Sequence, residues 1–139
     1  MKEVFVLDSC AIIATLRKEY GADIVNEIYK RADKEEVNLI INIVNLLEIY
    51  YHSYRDKGKI FAENVLKSIN NSKVIVHKLN DKIFLEAGRL KATYKISLAD
   101  SVALAQAIVS GGELITADHH EFDVIEEQGL EGIVFCWIR

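Results

Sequence analysis

The apolar runs of this chain are short, nearly continuous and separated by segments of helical pattern, which leaves few folds open. EVFVL (3–7), VNLII (37–41), KVIVH (73–77), ELIT (113–116) and IVFCWI (133–138) are rich in β-branched and aromatic residues. A sheet with one wet face would alternate apolar and polar residues. Runs that are apolar at successive positions suit strands covered on both sides. Strands of this kind, alternating with helices, predict an α/β fold: a five-stranded, mainly parallel sheet flanked by helices in three layers.

Helix boundaries follow from capping residues, because the chain contains no proline. Helical patterns run from Asp8 to about residue 33, with Gly21 as a break. Asn42 can cap a helix through about Asp56, followed by another from Lys59 to Asn70. Asn80 or Asp81 can cap a helix reaching Tyr94. Ser97 opens LADSVALAQAIVS, which the Gly111-Gly112 pair ends. No linker, repeat or low-complexity segment is visible, so residues 1–139 read as one domain.

With 50% hydrophobic and 27% charged residues, the composition is globular and not disordered. No apolar run approaches the ~20 residues that span a bilayer. Asp8 interrupts the N-terminal run too early for a signal peptide, so a cytoplasmic protein without membrane contact is expected. Cys10 and Cys136 lack metal-motif spacing and read as free thiols. The net charge of −4 argues against a broad nucleic-acid-binding surface but leaves room for a local one.

The chemistry of the chain lies in four carboxylates. Asp8 directly follows the first strand and Asp118 closely follows the fourth. Ligands of α/β sheets bind beyond the carboxyl ends of the strands. Asp100 enters an almost wholly apolar helix, and Glu48 sits within INIVNLLEIYY. Each also has a purely structural account. Asp8 can be an N-cap; Asp118 can form a capping box with Glu121; Asp100 occupies the third position of a box begun by Ser97. Glu48 can be a surface residue pairing with His52, at the edge of an apolar face built by Ile43, Leu47, Tyr50 and Tyr54, with Val44 and Tyr51 on its flank. Together, the four suggest one oxygen-lined site for a hard cation, Mg²⁺ or Mn²⁺ in preference to zinc. Neither a P-loop nor an ordered Ser-His-Asp set is present.

FVLDSCAIIA, VNLLEIYY, ISLADSVALAQAI and LITADHHEF, in that order, resemble the four acidic motifs of PIN-domain ribonucleases, in particular the small VapC-type toxins of prokaryotes. The resemblance spans nearly the whole chain. It implies a Rossmann-like sheet and Mg²⁺- or Mn²⁺-dependent hydrolysis of RNA by a metal-activated water, leaving a 5′ phosphate. It casts Asp8, Glu48, Asp100 and Asp118 as metal and catalytic residues, with Ser9 and Thr116 supporting the first and last carboxylates or a metal-bound water. It also implies a cognate antitoxin and self-association as a homodimer. Cys10 departs from the pattern, where such toxins often carry asparagine.

Other signals have two readings. Lys82, Arg89, Lys91 and Lys95 can contact RNA phosphates or form an ordinary solvated helix face. His119 and His120 can supply a ligand or proton donor, although neighbouring helical residues face different ways. Tyr50, Tyr51 and Tyr54 can stack on bases, or serve core packing or a dimer interface. Cys10 reads as a small buried residue beside the site. Two alternatives to the ribonuclease are an inactive PIN-fold binding module, whose signature would be a missing carboxylate, and a phosphotransfer domain using Asp8 as nucleophile. The latter usually carries D-x-D, and here position 10 is cysteine.

Overall fold

A computed structural model describes residues 2–139. The order of elements is β1 (Glu3–Leu7), α1 (Ser9–Leu16), α2 (Ala22–Asp33), β2 (Val37–Asn42), α3 (Ile43–Lys57), α4 (Lys59–Asn70), β3 (Ile75–His77), α5 (Asp81–Thr93), α6 (Leu98–Ser110), β4 (Glu113–Thr116), α7 (His119–Glu127) and β5 (Val134–Trp137). The five strands form one sheet in the order β3-β2-β1-β4-β5. All four pairings are parallel.

Neighbouring residues of the central strands point to opposite faces, and both faces are covered. Phe5, Leu7, Leu39, Ile41 and Ile115 pack on one side with Ile12 of α1, Val25 and Ile28 of α2, Ile49 of α3 and Val65 and Ile69 of α4. Val6 and Leu114 pack on the other side with Ile83 and Leu90 of α5, Leu104 of α6 and Phe122 and Ile125 of α7. The continuous apolar runs therefore follow from three-layer burial.

The expected caps form. Asn42 accepts from Val44 N, Asn80 from Ile83 N and Ser97 from Asp100 N. Asn80, and not Asp81, caps α5. Gly111 ends α6 with φ +65, where a left-handed residue closes the helix. The third strand is shorter than the apolar run suggests, starting at Ile75; Val74 is instead buried as the chain enters it.

One helix face is corrected. Ile43, Leu47, Tyr51 and Tyr54 are exposed. The buried face of α3 is built from Asn45, Leu46, Ile49 and Ser53. Polar side chains occupy it because they have hydrogen-bonding work there: Asn45 Nδ2 donates to the Ala99 carbonyl at 3.0 Å. Just before α3, the buried Asn42 Nδ2 donates to Gln106 Oε1 at 2.9 Å. These bonds tie the end of β2 and the start of α3 to α6. Tyr50 meets Tyr54 edge-on, with ring centroids 5.9 Å apart, so this aromatic cluster lies outside the core.

The chain leaves β1 towards β2 and later returns on the other side of β1 as β4. This reversal is the switch point where open parallel sheets form a crevice at their carboxyl ends. Asp8 and Asp118 stand there.

Candidate metal centre

Asp8 is the N-cap of α1. Its backbone leaves β1 extended, and its Oδ1 accepts from Ala11 N at 2.8 Å. The residue is fully buried, and its Oδ2 has no hydrogen-bond partner among the described residues. An orphaned carboxylate oxygen in the interior is costly. Burial pushes Asp8 up to about 7; the nearby Thr116 hydroxyl, outside full hydrogen-bonding geometry, and the Ala11 N–H offset part of this, while Asp118 and Glu48 add repulsion.

Asp100 is set by the first turn of α6. Its N–H donates to Ser97 Oγ at 3.1 Å, while Asn45 holds the preceding carbonyl. Burial and repulsion from Asp8, Asp118 and Glu121 push its carboxyl up to about 8. Asp118 caps α7, its Oδ1 accepting from Glu121 N at 3.2 Å. Thr116 Oγ1 accepts the Asp118 N–H at 3.0 Å. The capping accounts of Asp8, Asp100 and Asp118 and the shared-site account therefore hold together: capping uses one oxygen or the backbone and leaves carboxylate oxygens over.

Asp100, Asp118 and Glu121 each offer an oxygen within 4.8 Å of the others'. Glu48, half-buried on α3, is held by Ser9 Oγ on its Oε1 and by the Tyr51 hydroxyl on Oε2 at 3.4 Å. It does not pair with His52, whose ring stacks on Tyr51 at 4.8 Å. The trio and Glu48 line a cleft of about 380 Å³ whose wall also includes Ser9, Cys10, Ser97, Arg17, His52 and Arg139. Asp8 is buried beside this lining.

Every donor in the cluster is a carboxylate oxygen. The groups repel one another, are partly desolvated, and stand beside one orphaned oxygen, Asp8 Oδ2. That set fits a hard divalent cation. The one thiol at the cleft, Cys10, is only half-buried, yet burial pushes it up to about 11, which keeps it protonated and a poor soft ligand.

Other candidate residues fall elsewhere. His119 stacks on Trp137, with centroids 4.0 Å apart and planes 9° apart; its Nδ1 lies 2.7 Å from Asp123 Oδ1. His120 is exposed on α7. Arg89 pairs with Glu86, Lys91 Nζ donates to the Ile96 carbonyl at 2.6 Å, and Lys82 is exposed, so the basic side of α5 is a solvated face. Glu121 enters the cluster although its sequence context marked it only as a capping partner. The available signal is its position three residues after Asp118, which places both on one side of a first helical turn. Arg17 and Arg139 carry no sequence signal, because only the fold brings them to the cleft.

An open parallel sheet with a carboxylate-lined cleft at its switch point defines a class of doubly wound α/β domains. Within that class the chain belongs to the PIN domain family, which matches residues 5–128. Among solved structures, DNA-bound VapBC from Salmonella typhimurium is similar over 100% of both chains, with a TM-score of 0.75 and 16% identity. VapBC2 from Rickettsia felis, bound to a promoter DNA fragment, is similar over 96% of this chain and 97% of that one, with TM-score 0.75 and 16% identity. VapBC-1 from nontypeable Haemophilus influenzae is similar over 97% and 98%, with TM-score 0.72 and 18% identity. At these identities the likeness is one of fold. No curated protein matches the sequence.

Proposed function

We propose that the chain is a Mg²⁺- or Mn²⁺-dependent endoribonuclease, acting in the cytoplasm as the toxin of a toxin–antitoxin pair, with residues 1–139 as one domain. The reading rests on the meeting of Asp100, Asp118 and Glu121 oxygens within 4.8 Å, beside the orphaned Asp8 Oδ2, at the switch point of a PIN domain. Asp8, Asp100, Asp118 and Glu121 would hold the ion, with Glu48 at the wall and Ser9 and Thr116 in support.

A divalent cation bound there supplies Lewis-acid stabilisation of a phosphodiester's charge and lowers the pKa of coordinated water. The chain's own groups do the rest. Ser9 and Tyr51 hold Glu48 at the cleft wall, where its carboxylate can take a proton from the attacking water. Water as the nucleophile is what the resemblance to PIN-domain ribonucleases implies, and the Cys10 thiol, which burial keeps protonated, does not compete with it.

The VapBC complexes that share the fold support an antitoxin partner. An apolar groove of about 430 Å³ between α1, α2 and α4, lined by Ile12, Leu16, Tyr29, Phe61 and Val65, offers a seat for a partner segment. Exposed Ile43, Leu47 and Tyr54 on α3 suit a homodimer.

The deciding experiment is cleavage of single-stranded RNA with Mg²⁺, Mn²⁺ or chelator. Cleavage should need the metal and vanish in Asp8→Asn and Asp100→Asn. Undiminished cleavage by those variants in chelator would refute the reading.

A further inference from the structure

The cleft poses an electrostatic problem that its carboxylates cannot solve. Glu19, Glu48, Asp100, Asp118 and Glu121 line the cleft, with Asp8 buried beside them. A divalent ion offsets only part of that charge. RNA crossing the cleft also brings the phosphates on either side of the scissile one, and these are repelled by whatever charge remains. A productive complex needs cations at the cleft, and two arginines line it: Arg17 and Arg139.

Both are built around the α1–α2 loop. Arg17 is the C-cap of α1. Arg139 follows β5, and its Nη1 donates to the Tyr20 carbonyl in that loop at 3.2 Å. Three further features fix the backbone that carries Arg139. Ile138 N donates to the Thr116 carbonyl at 3.1 Å. His119 Nε2 lies 2.6 Å from the Arg139 main-chain oxygen. Gly21, at φ +99, lets the loop approach so closely that a Cβ there would meet the Ile138 carbonyl oxygen at 2.5 Å. The histidine that looked like a catalytic candidate thus helps to position an arginine.

Neither guanidinium is committed to a buried partner. Arg17 pairs with Asp56 at 2.8 Å, with side chains 50% and 47% exposed. Arg139 pairs with Glu19 at 3.8 Å, with side chains 33% and 39% exposed. Exposed pairs of this kind contribute little and exchange readily. A backbone phosphodiester offers a guanidinium the same two-pronged anionic acceptor.

From this arrangement we infer that Arg17 and Arg139 form a phosphate clamp, releasing Asp56 and Glu19 to hold the single-stranded RNA backbone beside the scissile bond. The inference rests on the ribonuclease reading and adds to it the residues that position the substrate.

The test is steady-state cleavage and anisotropy binding of a labelled single-stranded RNA, the latter in Ca²⁺, by wild type, Arg17→Ala, Arg139→Ala and Arg17→Lys. Arg89→Ala, on the solvated face of α5, is the control. Each alanine variant should raise KM about tenfold, the loss of one charge-assisted contact, with kcat within about twofold. The slope of log affinity against log salt should fall by about 0.7 per arginine. Arg17→Lys should recover part of the affinity, and Arg89→Ala should leave both readouts unchanged. If wild type cleaves RNA and the alanine variants keep its KM and salt slope, the clamp is overturned while the nuclease reading stands. If wild type binds RNA without cleaving it and the variants bind more weakly, the clamp stands and the nuclease reading falls. If wild type does not bind RNA, the clamp is overturned.

Discussion

Ser9, in the first turn of α1, donates its hydroxyl to Glu48 on α3, thirty-nine positions away in sequence. The bond fixes one carboxylate of the cleft from a helix whose own N-cap, Asp8, is buried beside it. Ser9→Ala should therefore free Glu48 without disturbing the sheet. We expect kcat to fall by up to about a hundredfold, the cost of a catalytic group misplaced by an ångström, with little change in thermal midpoint. Glu48→Gln should lose more. Saturating kinetics on both variants, alongside thermal unfolding, check this.

Metal-free protein should lose stability as pH rises. The folded state holds Asp8 up at about 7 and Asp100 at about 8, both from an ordinary 3.8. Over roughly pH 4 to 8 it then binds more protons than the unfolded chain, so this stabilisation is complete at low pH and disappears through the folded values. In chelator the unfolding midpoint should drop between pH 5 and 8.5. Millimolar Mn²⁺ should flatten or reverse that trend, because binding requires the deprotonated carboxylates. A midpoint that rises with pH in chelator would contradict the assigned shifts.

Asp8→Asn separates stability from function. Asparagine can still cap α1, as Asn42 caps α3, but it introduces no buried charge. At pH 8 without metal the variant should be more stable than wild type by on the order of 2 kcal/mol. The same variant should lose Mn²⁺ binding. Denaturant unfolding in chelator and calorimetric metal titration give the two readouts.

Glu121→Gln tests the member of the trio that sequence context left in the background. It keeps the backbone N–H that donates to Asp118 Oδ1, so α7 should remain capped. Loss of one anionic oxygen from the cluster should weaken Mn²⁺ affinity by about tenfold. Equal affinity in variant and wild type would remove Glu121 from the ligand set.

Much of this architecture is legible in the chain. The apolar runs mark the strands because a sheet covered on both faces has no wet positions. Asn42, Ser97 and Gly111 mark helix ends because orphaned backbone groups need those partners. The face of α3 was misleading for a definite reason. Ile43, Leu47, Tyr50 and Tyr54 follow a helical period, but the buried face has polar members, Asn45 and Ser53. Hydrophobic pattern cannot anticipate a buried asparagine whose partner is the carbonyl of Ala99, fifty-four positions away.

Asp8, Asp100 and Asp118 could be picked out because each stands at the boundary of an apolar element, where local rules already demand a polar cap. Local rules act over a few residues, so they say why a carboxylate is tolerated but not what it faces. Tertiary contact supplied the rest. The reversal of strand order at β1 and β4 brings Asp8 beside Asp118. The first turn of α7 adds Glu121 to them, and the packing of Gly21 against Ile138 carries Arg139 to the cleft. Charge repulsion and desolvation depend on distances through space, and these exist only once the layers have packed.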